Sequence, residues 1–472
     1  MKDPFSGIAD SRQAAIAVTV HWQEHPHVFV EKLLGDLFEA TRFETRDRAF
    51  ITEISYGYVR RLNTLEALIA HFARRPADEV DLPVRVTIAL GLYQFLYLET
   101  PPHAAVDATL AGFRRHAERY RIGSARVDRS AGLINAVLRR ATREVTRVPL
   151  DAADPEDADL IRGHQDWIRV PGLNLPGRNR NVHARWAVQY SHPQEMVRLW
   201  HERYPEQTLI EILIRDNERP TTHLVLRADG PSPDSFIRRL GVAGVVASRT
   251  GVSRTLALES PGRIESIPGY DAGEFWVQDV TARRLSLMLP RRDDVRLLDL
   301  CAAPGGKLIS LLDRGPFSEV LACDVSEERL RRVAENLDRV RLADAPVRAA
   351  ELPDDPDRIR FDHHFDQILV DAPCSNTGVL NRRQEARWRF VPEVVRELVQ
   401  LQKGLLRAAL RHAAPSAQVL YTTCSIEPDE NNEVVHDVLR SQPDFQLVEE
   451  REVLPGEGGG DGGYGALIQR RR

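Results

Sequence analysis

Four short apolar runs, "VRLLDL" at 295–300, "EVLACD" at 319–324, "FDQILVD" at 365–371 and "QVLYTT" at 418–423, constrain the fold of this chain more than any other feature. Between them lie amphipathic stretches such as "SEERLRRVAENLDRV" and "PEVVRELVQLQKGLLRAALRHA". Near-continuous apolar strands alternating with amphipathic helices predict a parallel sheet covered on both faces. Such sheets bind ligands at the carboxyl ends of their strands, so Asp299, Asp324, Asp371 and Thr423 are expected along one edge. The closing text, "FQLVEE" and "YGALIQR" across a glycine-rich link, predicts an antiparallel pair.

The rest of the chain has other periods. From 11 to about 147 apolar residues recur at three and four, as in "VFVEKLLGDLFEA", "AFITEISYGYVRRLNTLEALIAHF", "VRVTIALGLYQFLYL" and "AGLINAVLRRAT", with Pro101–Pro102 as a break. That is the pattern of an all-helical domain, assigned to 1–148. Acidic text, then text rich in Pro, Gly and Asn, predicts an irregular connector over 149–186. Mixed helix ("PQEMVRLWHERY", "SPDSFIRRLG") and strand ("THLVLRA", "RTLALES") predict a small α/β subdomain of RRM-like kind over 187–270. The parallel-sheet domain takes 271–472, so the fold class is multidomain: all-α, then small α/β, then Rossmann-like α/β.

At 472 residues and net charge −5, the chain has the composition of a globular protein, with no run near the roughly 20 apolar residues that span a bilayer. "MKDPFSGIADSRQ" carries no apolar signal core, and a cytoplasmic location is expected. The four cysteines, Cys301, Cys323, Cys374 and Cys424, lie 22, 51 and 50 residues apart, which speaks against a sequence-local zinc site or a disulfide framework. No metal is expected. The basic residues are almost all arginine, and from Phe113 to Arg147 ten of them face three acids, a net +7. Counterion release from a phosphate backbone would use such a patch, although a solvated helix face has the same composition. Arg114, Arg115, Arg119 and Arg121 are the candidate contacts to such a backbone, while Arg139 and Arg140 are candidates to bridge to the parallel-sheet domain.

The chemistry sits at the strand ends. "VRLLDLCAAPGGKLISLL" reads as strand, glycine-rich turn and helix, and Cys301, Ala302, Ala303, Pro304, Gly305, Gly306 and Lys307 form the turn. Small residues there let backbone approach a ligand, and Asp324, ending the next strand, suits ribose hydroxyls. The turn lacks the spacing that cradles a pyrophosphate, so a nucleoside-type cofactor is favoured over a dinucleotide. "DAPCSNTG" and "YTTCSIEP" place Cys374 and Cys424 in loops at the same edge. Buried structural cysteine is the plainer explanation for either alone. Two thiols at one edge point to covalent chemistry.

"DLCAAPGGK", "DAPCSNTGVL" and "YTTCSIEPDEN" resemble the RNA 5-methylcytosine methyltransferases that use S-adenosylmethionine. "DRAFITEISYGYVRR", "LGLYQFLYLETPPHAAVDATL" and "AGLINAVLRR" are similar to the NusB-type helical domain. Together with "YSHPQEM", "EFWVQDVTARRLSLML" and "DGGYGAL", they resemble the bacterial small-subunit (16S) rRNA cytosine-C5 methyltransferase family called RsmB, Fmu or Sun. The resemblance implies a NusB-like RNA-binding domain and an S-adenosylmethionine-dependent catalytic domain. It implies Cys424 as the nucleophile that adds to cytosine C6, Cys374 as the thiol assisting elimination, and Asp371 on the cytosine edge and on the methionine side of the cofactor pocket. The loop 301–307, Asp324 and Glu351 would bind the cofactor. A monomer acting on free or partly assembled ribosomal RNA is expected.

Several positions depart from the family pattern. Glu351 stands where an Asp usually meets the adenine, Leu308 where Thr is usual, and Asn376 where a small residue is usual. "NRRQEARW" replaces an Arg-His-Pro-Asp stretch, and Ser416–Ala417 replaces a Gly pair. Two alternatives stay open at this level: the same chemistry on tRNA or another RNA, and a non-catalytic RNA-binding assembly factor. Paired thiols argue against the second, since RNA binding has no need of them.

Overall fold

A computed structural model describes residues 4–471, so Met1–Asp3 of the N-terminal reading, and Arg472, lie outside the described residues. The chain divides into two compact units. One runs to Glu218 and takes in Arg387–Arg389; the other comprises Arg219–Ala386 and the residues from Phe390 on.

The first unit opens with seven helices: α1 (Ser11–Glu24), α2 (Val30–Ala40), α3 (Thr45–Arg60), α4 (Leu62–Ala73), α5 (Leu82–Tyr97), α6 (Pro102–Arg119) and α7 (Ser124–Glu144). Asp10 caps α1, its Oδ1 accepting from the Arg12 and Gln13 amides at 3.1 and 2.8 Å. Pro102 opens α6, where its missing N–H costs nothing. The run "AFITEISYGYVRRLNTLEALIAHF" is two helices parted at Arg61, whose ψ of 16° leaves the helical well. α5 is buried around most of its circumference, from Val84 to Tyr97, and packs against α1, α3, α4, α6 and α7.

The segment expected to be an irregular connector over 149–186 is ordered. β1 (Thr146–Pro149), β2 (Leu160–Arg162) and β3 (Asp166–Arg169) form an antiparallel sheet in the order β1-β3-β2, followed by a helix over Arg178–Gln189. Strands of three and four residues are too short to show a period of two in sequence. Ile161, Ile168, Val170 and Leu175 nonetheless join the core of the helical bundle. The helices Gln194–Arg203 and Glu206–Arg215, expected in the small α/β part, also belong to this unit, stacking through Arg178–Gln189 onto α4.

The unit also explains part of "NRRQEARW". The buried Arg387 guanidinium donates to the carbonyls of Arg60, Ser191 and Asp216 and to Asn217 Oδ1. Trp388 Nε1 donates to the Val59 carbonyl at 2.8 Å.

In the second unit β4 (Thr222–Leu226), β5 (Val246–Arg249), β6 (Thr255–Glu259) and β7 (Phe275–Val277) make an antiparallel sheet in the order β5-β6-β4-β7. β7 lies beyond the boundary expected at 270, because "EFWV" pairs backward onto β4. The large sheet contains β8 (Arg296–Asp299), β9 (Glu319–Asp324), β10 (Val347–Glu351), β11 (Phe365–Asp371), β12 (Ala413–Thr423), β13 (Phe445–Val453) and β14 (Gly463–Arg470). Its order is β10-β9-β8-β11-β12-β14-β13; the first five are parallel and the last two close it antiparallel.

Alternation divides its strands between two cores. Leu298, Cys323, Ile368, Val370 and Val419 pack on one face with Leu406, Ala409 and Val434. Leu297, Val320, Ala322, Leu369 and Leu420 pack on the other with Ile309, Leu312 and Val333. Burial on both faces gives the strands their continuous apolar text. The chain leaves β8 towards β9 and β10 and later returns on the other side of β8 as β11, so the crevice of this sheet lies between the ends of β8 and β11.

Candidate active site

The site grows from the carboxyl ends of β8, β9, β11 and β12. After Asp299 the chain turns under backbone bonds: Leu300 N–H to the Leu369 carbonyl and Ala302 N–H to the Cys323 carbonyl. Asp299 Oδ1 accepts from the Cys301 amide at 3.2 Å, and Asp324 Oδ2 accepts from the Ala303 amide at 3.3 Å. Gly305 then adopts φ +106°, a left-handed conformation that suits glycine, and the helix Gly306–Leu312 begins. Asp324 is 2% exposed, with Arg329 3.0 Å from its Oδ1. Glu351 pairs in register with Asp324 across β10 and β9, exposed to solvent.

Lys307 reaches across the crevice. Its Nζ donates to Asp371 Oδ1 at 2.7 Å, and Thr422 Oγ1 donates to the same oxygen at 3.0 Å. Burial opposes the Lys307 charge, but the Asp371 carboxylate, its hydrogen bond and the two thiols together raise the ammonium above its ordinary value. Asp299 shows the opposite outcome. Burial, then the nearby Asp371 charge, push its carboxyl up to about 8.

The two thiols meet. Asp371 and Thr422 are register partners in adjacent parallel strands, and the loops that follow bring Cys374 Sγ within 3.3 Å of Cys424 Sγ. The Cys424 thiol donates to Asn376 Oδ1 at 3.2 Å, and Asn376 Nδ2 donates back to the Cys374 carbonyl at 2.8 Å. Asn376 has φ +62°, which asparagine tolerates better than most residues. The Cys374 thiol is pushed well up, first by its hydrogen bond with Cys424 and then by burial. Gly378 holds the loops close: its N–H donates to the Cys424 carbonyl at 3.0 Å, and a Cβ there would stand 2.7 Å from the Gly462 backbone.

Sequence reasoning missed the carboxylate that ties these loops together. Glu430 is fully buried and accepts from the Ser375 amide at 2.9 Å, from Ser425 Oγ at 2.6 Å, from Gln402 Nε2 at 3.0 Å, and from Ser375 Oγ. Each cysteine is therefore followed by a serine bound to one carboxylate. Burial raises the Glu430 carboxyl while these donors pull it back. The available signal was an acid in "CSIEPDEN", beside the apolar residues of a buried loop. The proposed RNA arginines do not act alike. Arg114 and Arg121 are exposed, whereas Arg115 pairs with Asp10 at 2.6 Å and Arg119 donates to the Pro4 and Ser6 carbonyls. Arg139 and Arg140 bond within the helical unit, to Asn135 and to Glu144.

Residues 286–459 match the family described as 16S rRNA methyltransferase RsmB/F, and residues 9–143 match the NusB family. Ribosomal RNA small subunit methyltransferase B of Klebsiella pneumoniae is 31% identical over 438 residues, covering 90% of this chain and 91% of the relative. The chain belongs to the RsmB family. The crystal structure of PH0851 superposes with a TM-score of 0.74 at 18% identity, covering 98% of this chain and all of that one. NSun6 from Pyrococcus horikoshii, solved with the S-adenosylmethionine analogue SFG, covers 59% of this chain and 98% of its own at a TM-score of 0.52 and 16% identity.

As a member of the RsmB family the protein is a methyltransferase, and its cofactor is S-adenosylmethionine. The residues present fit that group. The turn 301–307 is built of small residues around a left-handed glycine, and carboxylates end the two strands beside it. No described helix is long and apolar enough to cross a membrane.

Proposed function

We propose that the protein methylates C5 of a cytosine in small-subunit (16S) ribosomal RNA through a covalent bond between Cys424 Sγ and cytosine C6. The observation that carries this reading is the pair of thiols 3.3 Å apart beside the sheet's crevice. C5 of cytosine belongs to an electron-poor ring and is a weak nucleophile. A thiolate adding at C6 breaks the aromaticity and makes C5 enamine-like. S-adenosylmethionine, when bound, supplies an electrophilic sulfonium methyl. Asp371 orients the base: Lys307 and Thr422 occupy its Oδ1, leaving Oδ2 for the cytosine edge, where a proton held at N3 draws electrons from the ring. A base then takes the C5 proton, the C5–C6 double bond re-forms and the C6–S bond breaks with its electron pair leaving on Cys424, an elimination that Cys374 assists. The target base must leave any stack to reach these groups.

Cofactor contacts are assigned to Cys301–Lys307, Asp324, Glu351 and Asp371. The helical domain over 1–148 supplies phosphate contacts to free or partly assembled ribosomal RNA, with the protein acting as a cytoplasmic monomer. Bisulfite sequencing of small-subunit RNA from a strain lacking the gene tests the assignment. One 5-methylcytosine should disappear and return on complementation; an unchanged methylation pattern would overturn it.

A further inference from the structure

The proposed reaction needs Cys374 and Cys424 as separate thiols, yet the fold holds them almost in bonding contact. Three features set that distance. The register of β11 and β12 places Asp371 beside Thr422, so both loops leave the sheet side by side. Glu430 then clamps the residue after each cysteine, accepting from the Ser375 amide and from Ser425 Oγ. Asn376 finally spans the pair, taking the Cys424 thiol proton in a hydrogen bond and donating to the Cys374 carbonyl. The sulfurs stand 3.3 Å apart, against about 2.05 Å in a disulfide. Both cysteines are half-buried rather than sealed in the core.

We propose that Cys374 and Cys424 are a site of reversible oxidation, closing into an intramolecular disulfide when the protein meets a peroxide, and that this bond switches methylation off. The bond rests on the geometry alone; the loss of activity rests on the reading of Cys424 as nucleophile. Cys424, the nucleophile of the proposed reaction, is assigned the first attack, and Cys374, at 3.3 Å, the second. Cys424 sulfur attacks one peroxide oxygen as its thiol proton passes to solvent. The O–O bond breaks, and the sulfur becomes a sulfenic acid as the other oxygen leaves and is protonated. Cys374 sulfur then attacks Cys424 sulfur, the S–O bond breaks, and the departing hydroxide takes the Cys374 proton as water. With hydrogen peroxide the sum is two thiols and one peroxide to one disulfide and two waters, a two-electron oxidation of the protein. A neighbouring thiol also spares Cys424 from irreversible sulfinic acid. Neither of the other two cysteines suits the first attack: burial pushes the Cys301 thiol well up and the Cys323 thiol up to about 12.

The test treats the full chain with hydrogen peroxide, alkylates the remaining thiols under denaturing conditions, and maps the peptides. The expected result is a Cys374–Cys424 linked peptide, Cys301 and Cys323 alkylated, methylation reduced at least tenfold, and both changes reversed by dithiothreitol. In Cys374→Ala the link cannot form, and Cys424 should be captured as a sulfenic acid by dimedone, a readout independent of catalysis. Four alkylatable thiols after treatment, or Cys424 as sulfinic acid beside a free Cys374, would overturn the disulfide. A linked peptide with methylation intact would leave the bond standing and overturn both the switch and the nucleophile assignment.

Discussion

At the scale of single residues the site is a set of acids in unequal surroundings. Asp299 and Asp371 end neighbouring strands, but Lys307 and Thr422 bind only Asp371. Asp299 is consequently held neutral, its carboxyl pushed up to about 8 by burial and by the Asp371 charge. A raised acid favours the folded state at low pH. That contribution is complete below the ordinary carboxyl value of 3.8 and falls away as pH rises to about 8, because the unfolded chain ionises freely there. Asp299→Asn keeps an acceptor for the Cys301 amide and has no charge to bury. Thermal melting should find this variant more stable than the parent at pH 8.5, by an amount of order a few kcal/mol, with little difference at pH 4. An equal effect at both values would show that folding does not raise the Asp299 carboxyl.

At the scale of elements, two joints hold the site. Asp324 links β9 to the glycine turn through the Ala303 amide and presents its other oxygen to Arg329. Asp324→Ala should weaken S-adenosylmethionine binding by about 1.5–3 kcal/mol, the range for a hydrogen bond to a charged group, as read by calorimetry. Unchanged affinity would move the ribose contact elsewhere. Glu430 is the second joint. Glu430→Ala takes the acceptor from the Ser375 amide, at about 1–3 kcal/mol for an unsatisfied group, and leaves the Ser425 hydroxyl only its bonds with Ser375 and Thr377; differential scanning calorimetry should record a melting point several degrees lower. An unchanged melting point would mean that water replaces the carboxylate.

These joints mark how far sequence reading reaches. The strands "EVLACD" and "FDQILVD" run over 319–324 and 365–371 as their apolar text requires, because burial on both faces leaves no other pattern. β2 and β3 escaped notice since three or four residues carry no period. Glu430 escaped because its partners, Ser375 and Gln402, lie 55 and 28 residues away in sequence. Asn376 was visible only as a departure from a family pattern, and its bond to Cys424 depends on a left-handed backbone that no local text announces.

At the scale of the whole molecule, the +7 segment divides its labour. Of the four arginines proposed as RNA contacts, Arg115 and Arg119 tie the residues before α1 onto α6, whereas Arg114 and Arg121 are exposed. Reversing these two to Glu should weaken RNA binding and flatten the slope of log affinity against log salt by about two units, with cofactor affinity preserved. A slope equal to the parent's would return the patch to a solvated helix face. In the proposed reaction RNA, cofactor and both thiols meet in one covalent step, which a denaturing gel reads most directly. Cys374→Ala, incubated with small-subunit RNA and S-adenosylmethionine, should accumulate a protein–RNA adduct that survives denaturation, and the double variant lacking Cys424 as well should form none. No adduct from a folded, cofactor-binding Cys374→Ala protein, or an adduct that persists without Cys424, would contradict the account.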